Sequence, residues 1–143
     1  MTSSLFVYGS LMYPEVIRIV LHRTIDDLEI RDAVLEGYRR VAVPARSYPT
    51  GIAALGSKIH GKLVSGLTEE DLRRLDAYEA SFYVRTTVSV QTDRGMAKAF
   101  AYIDGRDPLP FPIREWDAET YEKEHLATFI NTLKKQCLGA RRQ

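Results

Sequence analysis

The stretch Leu67-Thr68-Glu69-Glu70-Asp71-Leu72-Arg73-Arg74-Leu75-Asp76-Ala77-Tyr78-Glu79 carries a helix start and a charge in an unexpected place. Thr68 is a good N-cap, and Asp71 three residues later completes a capping-box pattern. Leu67 and Leu72 occupy the two positions of a hydrophobic staple. Glu69, Glu70 and Asp71 put negative charge in the first turn, where the helix dipole favours it. The apolar stripe opens with Leu72 and Leu75, and its helical continuation lands on Asp76 and Glu79. Seven residues make almost two turns, so Glu79 is expected to point nearly the same way as Leu72. A carboxylate on a face that should be buried must be paired, neutralised or set in the wall of a cavity. In the last case it is a candidate general base.

The chain around this stretch has 143 residues, 45% apolar and 27% charged, the composition of one globular domain spanning residues 1–143. A net charge of +1 gives no electrostatic case for nucleic acid or an anionic membrane. Cys137 is the single cysteine, which excludes an internal disulfide and a thiolate metal cluster. No run reaches membrane-spanning length, and the opening apolar run stops at Gly9, so no signal peptide is read and a cytoplasmic protein is expected.

Upstream, Leu5-Phe6-Val7-Tyr8 reads as a buried strand that stops at Gly9. Pro14 then fits the first turn of a helix with Val16, Ile17, Val20 and Leu21 on one face. The turn from Gly9 to Tyr13 leaves backbone N–H groups that can hold a carboxylate or an oxyanion; equally, its glycine can merely permit the bend. Leu28–Leu35 and Tyr38–Val43 read as two strands, ended by Gly37 and Pro44. Arg39 and Arg40 fall on opposite faces of the second. Tyr48–Gly51 reads as a loop and Ile52–Leu55 as a short apolar piece. Lys58–Val64 reads as a strand in which Gly61 signals a bulge or a close backbone approach.

Downstream, Phe82–Val90 alternates, with Phe82, Val84, Val88 and Val90 on one face. Asp93-Arg94-Gly95 signals a hairpin to a return strand, Met96–Ile103. Ala97, Ala99 and Ala101 on that strand leave room for a close-packed helix or a pocket. After a loop held extended by Pro108, Pro110 and Pro112, one last helix is expected from Asp117 to Leu138. Trp116 and Tyr121 staple its start and Gly139 caps its end. Its stripe is Leu126, Phe129, Ile130, Leu133 and Cys137, which makes Cys137 a core residue. Strands joined mostly by short turns predict an α+β fold: a small mixed, barrel-like β-sheet with packed helices.

His22, His60 and His125 are scattered without ligand spacing, so no metal site is read. Met12 stands where a nucleophile elbow needs its second glycine, and no phosphate-binding fingerprint is present. Asp76 can pair with Arg73 or Arg74. Glu79 stays the outstanding carboxylate, with a structural ion pair as its competing explanation.

The segments Phe6-Val7-Tyr8-Gly9-Ser10-Leu11 and Leu75-Asp76-Ala77-Tyr78-Glu79, the latter with Tyr83 and Arg85, resemble the two motifs of the gamma-glutamylcyclotransferase-like family, in its branch named after plant avirulence-induced proteins. Gly37-Tyr38-Arg39, Tyr48-Pro49, Gly61-Lys62-Leu63 and Ala99-Phe100-Ala101-Tyr102 match landmarks of the same family in order. The resemblance implies cleavage of a γ-glutamyl amide by its own α-amino group, releasing 5-oxoproline and an amine. It makes Glu79 the general acid/base and Tyr8, Gly9, Ser10 and Leu11 the loop that holds the γ-glutamyl group. Tyr102 lines the pocket or only packs in its strand. The substrate is then a small γ-glutamyl molecule, with no metal, no cofactor and no covalent intermediate. Two departures stand out: Ala80 replaces the usual glycine after the glutamate, and Ser10 replaces a common threonine. A different small-amide reaction on the same fold, or a binding protein without turnover, are the competing readings.

Overall fold

Thr68 and Asp71 start the central helix as their spacing predicts. In a computed structural model that describes residues 2–141, with side chains to residue 136, the Asp71 N–H donates to Thr68 Oγ1 and the Thr68 N–H donates back to Asp71. The Asp71 carboxylate is buried and takes two bonds from Arg23, Nε at 3.0 Å and Nη2 at 2.7 Å. This guanidinium holds the Asp71 carboxyl below its ordinary range and ties the helix to the segment following the first helix.

Five strands form a closed barrel: β1 (Ser3–Val7), β2 (Glu29–Ala42), β3 (Pro49–Leu67), β4 (Tyr83–Thr92) and β5 (Gly95–Asp104), in the order β1-β3-β2-β4-β5. All pairs are antiparallel except β1–β5, which closes the barrel in parallel at Leu5↔Phe100 and Phe6↔Ala101. The helices are α1 (Pro14–Leu21), α2 (Glu69–Tyr78), α3 (Ala118–Glu124) and α4 (Leu126–Arg141). The mixed barrel with packed helices is therefore the α+β architecture expected.

Alternation along β1 divides the core. Phe6 and Tyr8 join Ala33, Leu35, Ile59, Leu63, Val88 and Val90 in one cluster drawn from all five strands. Leu5 and Val7 face the other way, against Val16, Ile17, Val20, Leu72, Leu75 and Leu133 of the helices. The alanines of β5 open neither a helix seat nor a pocket: Ala99 and Ala101 belong to the barrel cluster, where small side chains make room for the Phe6 ring.

Three further expectations are corrected. Gly37 does not end a strand; with φ of +84° it forms a bulge between Glu36 and Tyr38, and β2 continues as one strand. Tyr48–Gly51, Ile52–Leu55 and Lys58–Val64 likewise merge, from Pro49 on, into the single strand β3, because the long β2 offers a continuous partner. Val84 does not share the buried face of Val88 and Val90. It lies in the half of β4 without a β2 neighbour, since these two strands pair only at Val34↔Gln91, and it is 55% exposed.

The last helix is broken at His125, which caps α3. Trp116 and Tyr121 do meet at its start, with ring centroids 5.4 Å apart. Tyr121 and Phe129 still meet across the break, with ring centroids 6.2 Å apart. The break lets Tyr121 pack on Tyr13 and Trp116 while α4 turns its own stripe to the core. Gly139 is not a cap, as α4 runs to Arg141, and the Cys137 side chain lies outside those described.

Gly61 marks a close approach, not a bulge: a Cβ there would stand 2.3 Å from the Val7 carbonyl oxygen and 2.8 Å from Phe6 Cζ. Gly61→Ala is expected to lower the unfolding free energy by about 2–3 kcal/mol through overpacking against backbone. Urea denaturation monitored by circular dichroism measures it, with Gly56→Ala, an open position at φ of +85°, showing what conformational strain alone costs.

Candidate active site

β1 delivers the chain to the barrel rim, and the next residues turn back on themselves. Gly9 lies against β3, where a Cβ would come within 2.8 Å of Pro49 Cδ. A side chain here has no room beside the Pro49 ring. Ser10–Met12 form a single 3-10 turn, and Pro14 opens α1 as expected. The N–H groups of Gly9, Ser10 and Leu11 have no hydrogen-bond partner among the described residues.

The end of α2 comes to meet this turn. Ser10 Oγ and Tyr78 Oη are 2.8 Å apart, a bond across 68 positions of sequence. Glu79 follows, but not as a helical residue: α2 ends at Tyr78, and Glu79 is its C-cap with extended backbone (φ −70°, ψ 147°). Its side chain is aimed by the exit from the helix and not by the stripe of Leu72 and Leu75.

A cavity of about 260 Å³ separates the two segments. Tyr8, Gly9, Ser10 and Leu11 line it together with Glu79, Ala80, Tyr83 and Tyr102. Among the described residues Glu79 is the only charged side chain in the lining, and its carboxylate has neither a hydrogen bond nor an ion pair. Burial, then the negative charge of Asp76, push its pKa up to about 8.

Asp76 behaves differently from expectation. Its side chain is 45% exposed, and it bonds neither Arg73 nor Arg74, which turn to Glu70. It accepts the Tyr102 hydroxyl at 2.6 Å and faces Arg85 Nη1 at 3.3 Å. Tyr102 thus lines the cavity and also fixes α2 to β5. Tyr8 contributes backbone more than hydroxyl, because its O–H donates to the Tyr102 carbonyl and burial holds its pKa well above the ordinary range.

All six residues expected at the site, Tyr8, Gly9, Ser10, Leu11, Glu79 and Tyr102, therefore border one cavity. Sequence reasoning missed its other walls: Tyr48, Tyr78, Tyr83, and the α4 face bearing Phe129, Thr132, Leu133 and Gln136. That last set has helical i, i+3, i+4, i+7 spacing, and its two polar members inside an apolar stripe were the available signal. Ala80 needs no strained turn, since His22 and Ala45 are the non-glycine residues with positive φ among those described. No group of three or more His, Cys, Asp or Glu side chains is placed to hold a metal among the described residues.

Residues 5–122 match the family described as Gamma-glutamyl cyclotransferase, AIG2-like. The chain belongs to this family. Among curated members it is 35% identical to AIG2-like protein A of Arabidopsis thaliana, over 92% of this chain and 79% of that one. It is 31% identical to Protein AIG2 C of the same plant, with the same two coverages. A solution structure of an Arabidopsis thaliana protein superimposes with a TM-score of 0.73 at 29% identity, covering 99% of this chain and 85% of the other. A structure named Gamma-glutamyl cyclotransferase gives 0.64 at 15% identity over 94% and 87%, a likeness of fold alone. Family membership points to a small-molecule substrate and to enzyme activity of the cyclotransferase type.

A neutral Glu79 is cheaper to bury than a charged one, and that has a sign. Its folded pKa near 8 exceeds the ordinary carboxylate value of 4.5, so the folded state holds the extra proton between these values. Unfolding free energy therefore falls as pH rises through that window and levels off above about 8. Glu79→Gln is expected to match wild type near pH 4.5 and to raise Tm by about 3–8 °C at pH 8.5. Thermal melts across the range check it; a variant that melts lower at pH 8.5 contradicts the desolvated carboxylate.

Proposed function

We propose that this protein is a gamma-glutamylcyclotransferase that splits a γ-glutamyl amide into 5-oxoproline and a free amine. The single observation that carries this reading is the unpaired Glu79 carboxylate in the wall of the cavity that the Gly9–Leu11 turn also lines. In the reaction the substrate α-nitrogen attacks its own γ-carbonyl carbon. The new C–N bond closes a five-membered ring, and the bond to the leaving amine breaks. Two protons must leave the attacking ammonium, one before attack and one from the ring nitrogen of the tetrahedral intermediate, and two reach the departing nitrogen, which leaves as an ammonium. Glu79 relays the proton removed from the ring nitrogen to the leaving nitrogen, the other exchanges through solvent, and no net proton and no water are consumed.

A pKa near 8 suits both halves of that task. An ordinary carboxylate is too weak a base for an ammonium, and one raised to this range is well matched to it. The unpaired N–H groups of Gly9, Ser10 and Leu11 are donors for the substrate carboxylate and for the oxyanion of the tetrahedral intermediate. Because nucleophile and electrophile share one molecule, the cavity needs only to fold the substrate, which lowers the entropic part of the barrier. The aromatic lining of Tyr8, Tyr78, Tyr83 and Tyr102 limits the hydration of the carboxylate. The single cysteine is in keeping with a cytoplasmic setting.

Incubation with a panel of γ-glutamyl amines and γ-glutamyl amino acids is expected to yield 5-oxoproline, detected by mass spectrometry. Glu79→Gln is expected to lose about 10²–10⁴-fold in kcat with the fold retained. Wild-type kcat/KM is expected to rise about tenfold per pH unit below the Glu79 pKa and to level off near pH 8, since the base must be ionised to act. Turnover that survives in the glutamine variant removes Glu79 from this role.

A further inference from the structure

Arg40 stands behind the loop, outside the cavity lining. It lies on β2, and its guanidinium has no carboxylate partner among the described residues, although burial removes part of its hydration and lowers its pKa. Its neighbour Arg39 is the one that approaches an acid, Glu115 at 4.0 Å. Arg40 Nη1 donates instead to two backbone carbonyls, Tyr8 at 3.0 Å and His60 at 3.4 Å, and the guanidinium lies 4.9 Å from the Trp116 ring centre. A half-buried cation left without an anion costs stability, so a purely structural purpose is poorly served by it.

The Tyr8 carbonyl is the last before the turn. It belongs to the same planar trans peptide as the Gly9 N–H, and in such a unit the two groups point in opposite directions. Arg40, which is not part of the cavity lining, holds the carbonyl, whereas Gly9 borders the cavity and its N–H has no partner among the described residues. A charged donor on the carbonyl draws electron density through the amide and makes the opposite N–H a stronger donor.

We propose that Arg40 is a positioning residue that fixes the Tyr8–Gly9 peptide and polarises it, so that the Gly9 N–H meets the developing oxyanion in the cavity. This rests on the cyclotransferase reading of the site. Arg40 touches neither substrate nor reacting atoms; it acts through one peptide bond. The stacked Trp116, whose Nε1–H donates to the Ser47 carbonyl, supports the guanidinium from α3's side. The benefit is larger in the transition state than in the bound substrate, because charge on the oxygen appears only there.

The test uses the full chain labelled with ¹⁵N, as wild type, Arg40→Met, Arg40→Lys and Trp116→Leu, with folding followed by circular dichroism. In the ligand-free protein the Gly9 amide proton is expected upfield in Arg40→Met, and nearer its wild-type position in Arg40→Lys. With a γ-glutamyl substrate, Arg40→Met is expected to lose about tenfold or more in kcat with little change in KM, and Arg40→Lys to recover part of it. Trp116→Leu, which keeps the guanidinium bond, is expected to lose less than about threefold. A folded Arg40→Met with wild-type kcat and an unmoved Gly9 amide overturns the proposal. So does a loss in Trp116→Leu equal to that in Arg40→Met, which would mark Arg40 as packing alone. A wild type that releases no 5-oxoproline refutes the cyclotransferase reading, and the ligand-free Gly9 amide then still decides whether Arg40 polarises the peptide.

Discussion

A partly desolvated carboxylate without a counterion is the constraint on which the rest of this structure turns. The nearby acid Asp76 is paired, facing Arg85 at 3.3 Å and accepting the Tyr102 hydroxyl. Glu79 is left to face the cavity with only the repulsion of Asp76 nearby. Such a group raises the energy of the folded state whenever it ionises, and the frame around it has to offset that cost. A site that stored no such cost would hold a carboxylate of ordinary basicity, unfit to move a proton from an ammonium.

The frame does so through features far from Glu79 in sequence. The capping box and the paired Arg23–Asp71 bonds fix the start of α2, one helix length away from its functional end. At that end Ser10–Tyr78 and Tyr102–Asp76 fix it again, to the β1 turn and to β5. β1 itself is held on both edges, by β3 and β5, and Gly61 lets the Phe6 ring and the Val7 carbonyl sit tight against β3. The two walls of the cavity are thus anchored to the same barrel, so their separation is a property of the fold and not of a mobile loop.

How legible was this in the chain? Local chemistry read well: the Thr68–Asp71 cap, Pro14 at a helix start, the Trp116–Tyr121 contact and the Asp93-Arg94 hairpin all depend on neighbours within a few residues. Strand length read poorly. Gly37 and Gly56 look like stops, yet each takes a positive φ beside a partner long enough to continue the ladder. Glu79 was picked out by a helical face it does not occupy, and the helix ends one residue too early for that reasoning. The motif resemblance found the residue; its environment came from tertiary contacts. The α4 wall was illegible for a related reason. Thr132 and Gln136 share the wheel face of Phe129 and Leu133, but their polarity reads as a solvated margin of that stripe, and only the tertiary placement of α4 shows that this face lines the cavity.

The tyrosines decide what the cavity presents to a ligand. Tyr8 gives its O–H to the Tyr102 carbonyl, Tyr83 to the Pro49 carbonyl, Tyr102 to Asp76, and Tyr78 shares one with Ser10. These four hydroxyls are therefore engaged with the protein, and their pKa values all stand above the ordinary range. What remains for a guest is ring surface, one carboxyl, the free N–H groups of a tight turn and the polar groups of Tyr48, Thr132 and Gln136. An amide with a compact anionic head and an amine beside it meets the first three at once. A ligand that drew on the hydroxyls of Tyr8, Tyr78, Tyr83 or Tyr102 would have to break bonds that hold the barrel and helices together.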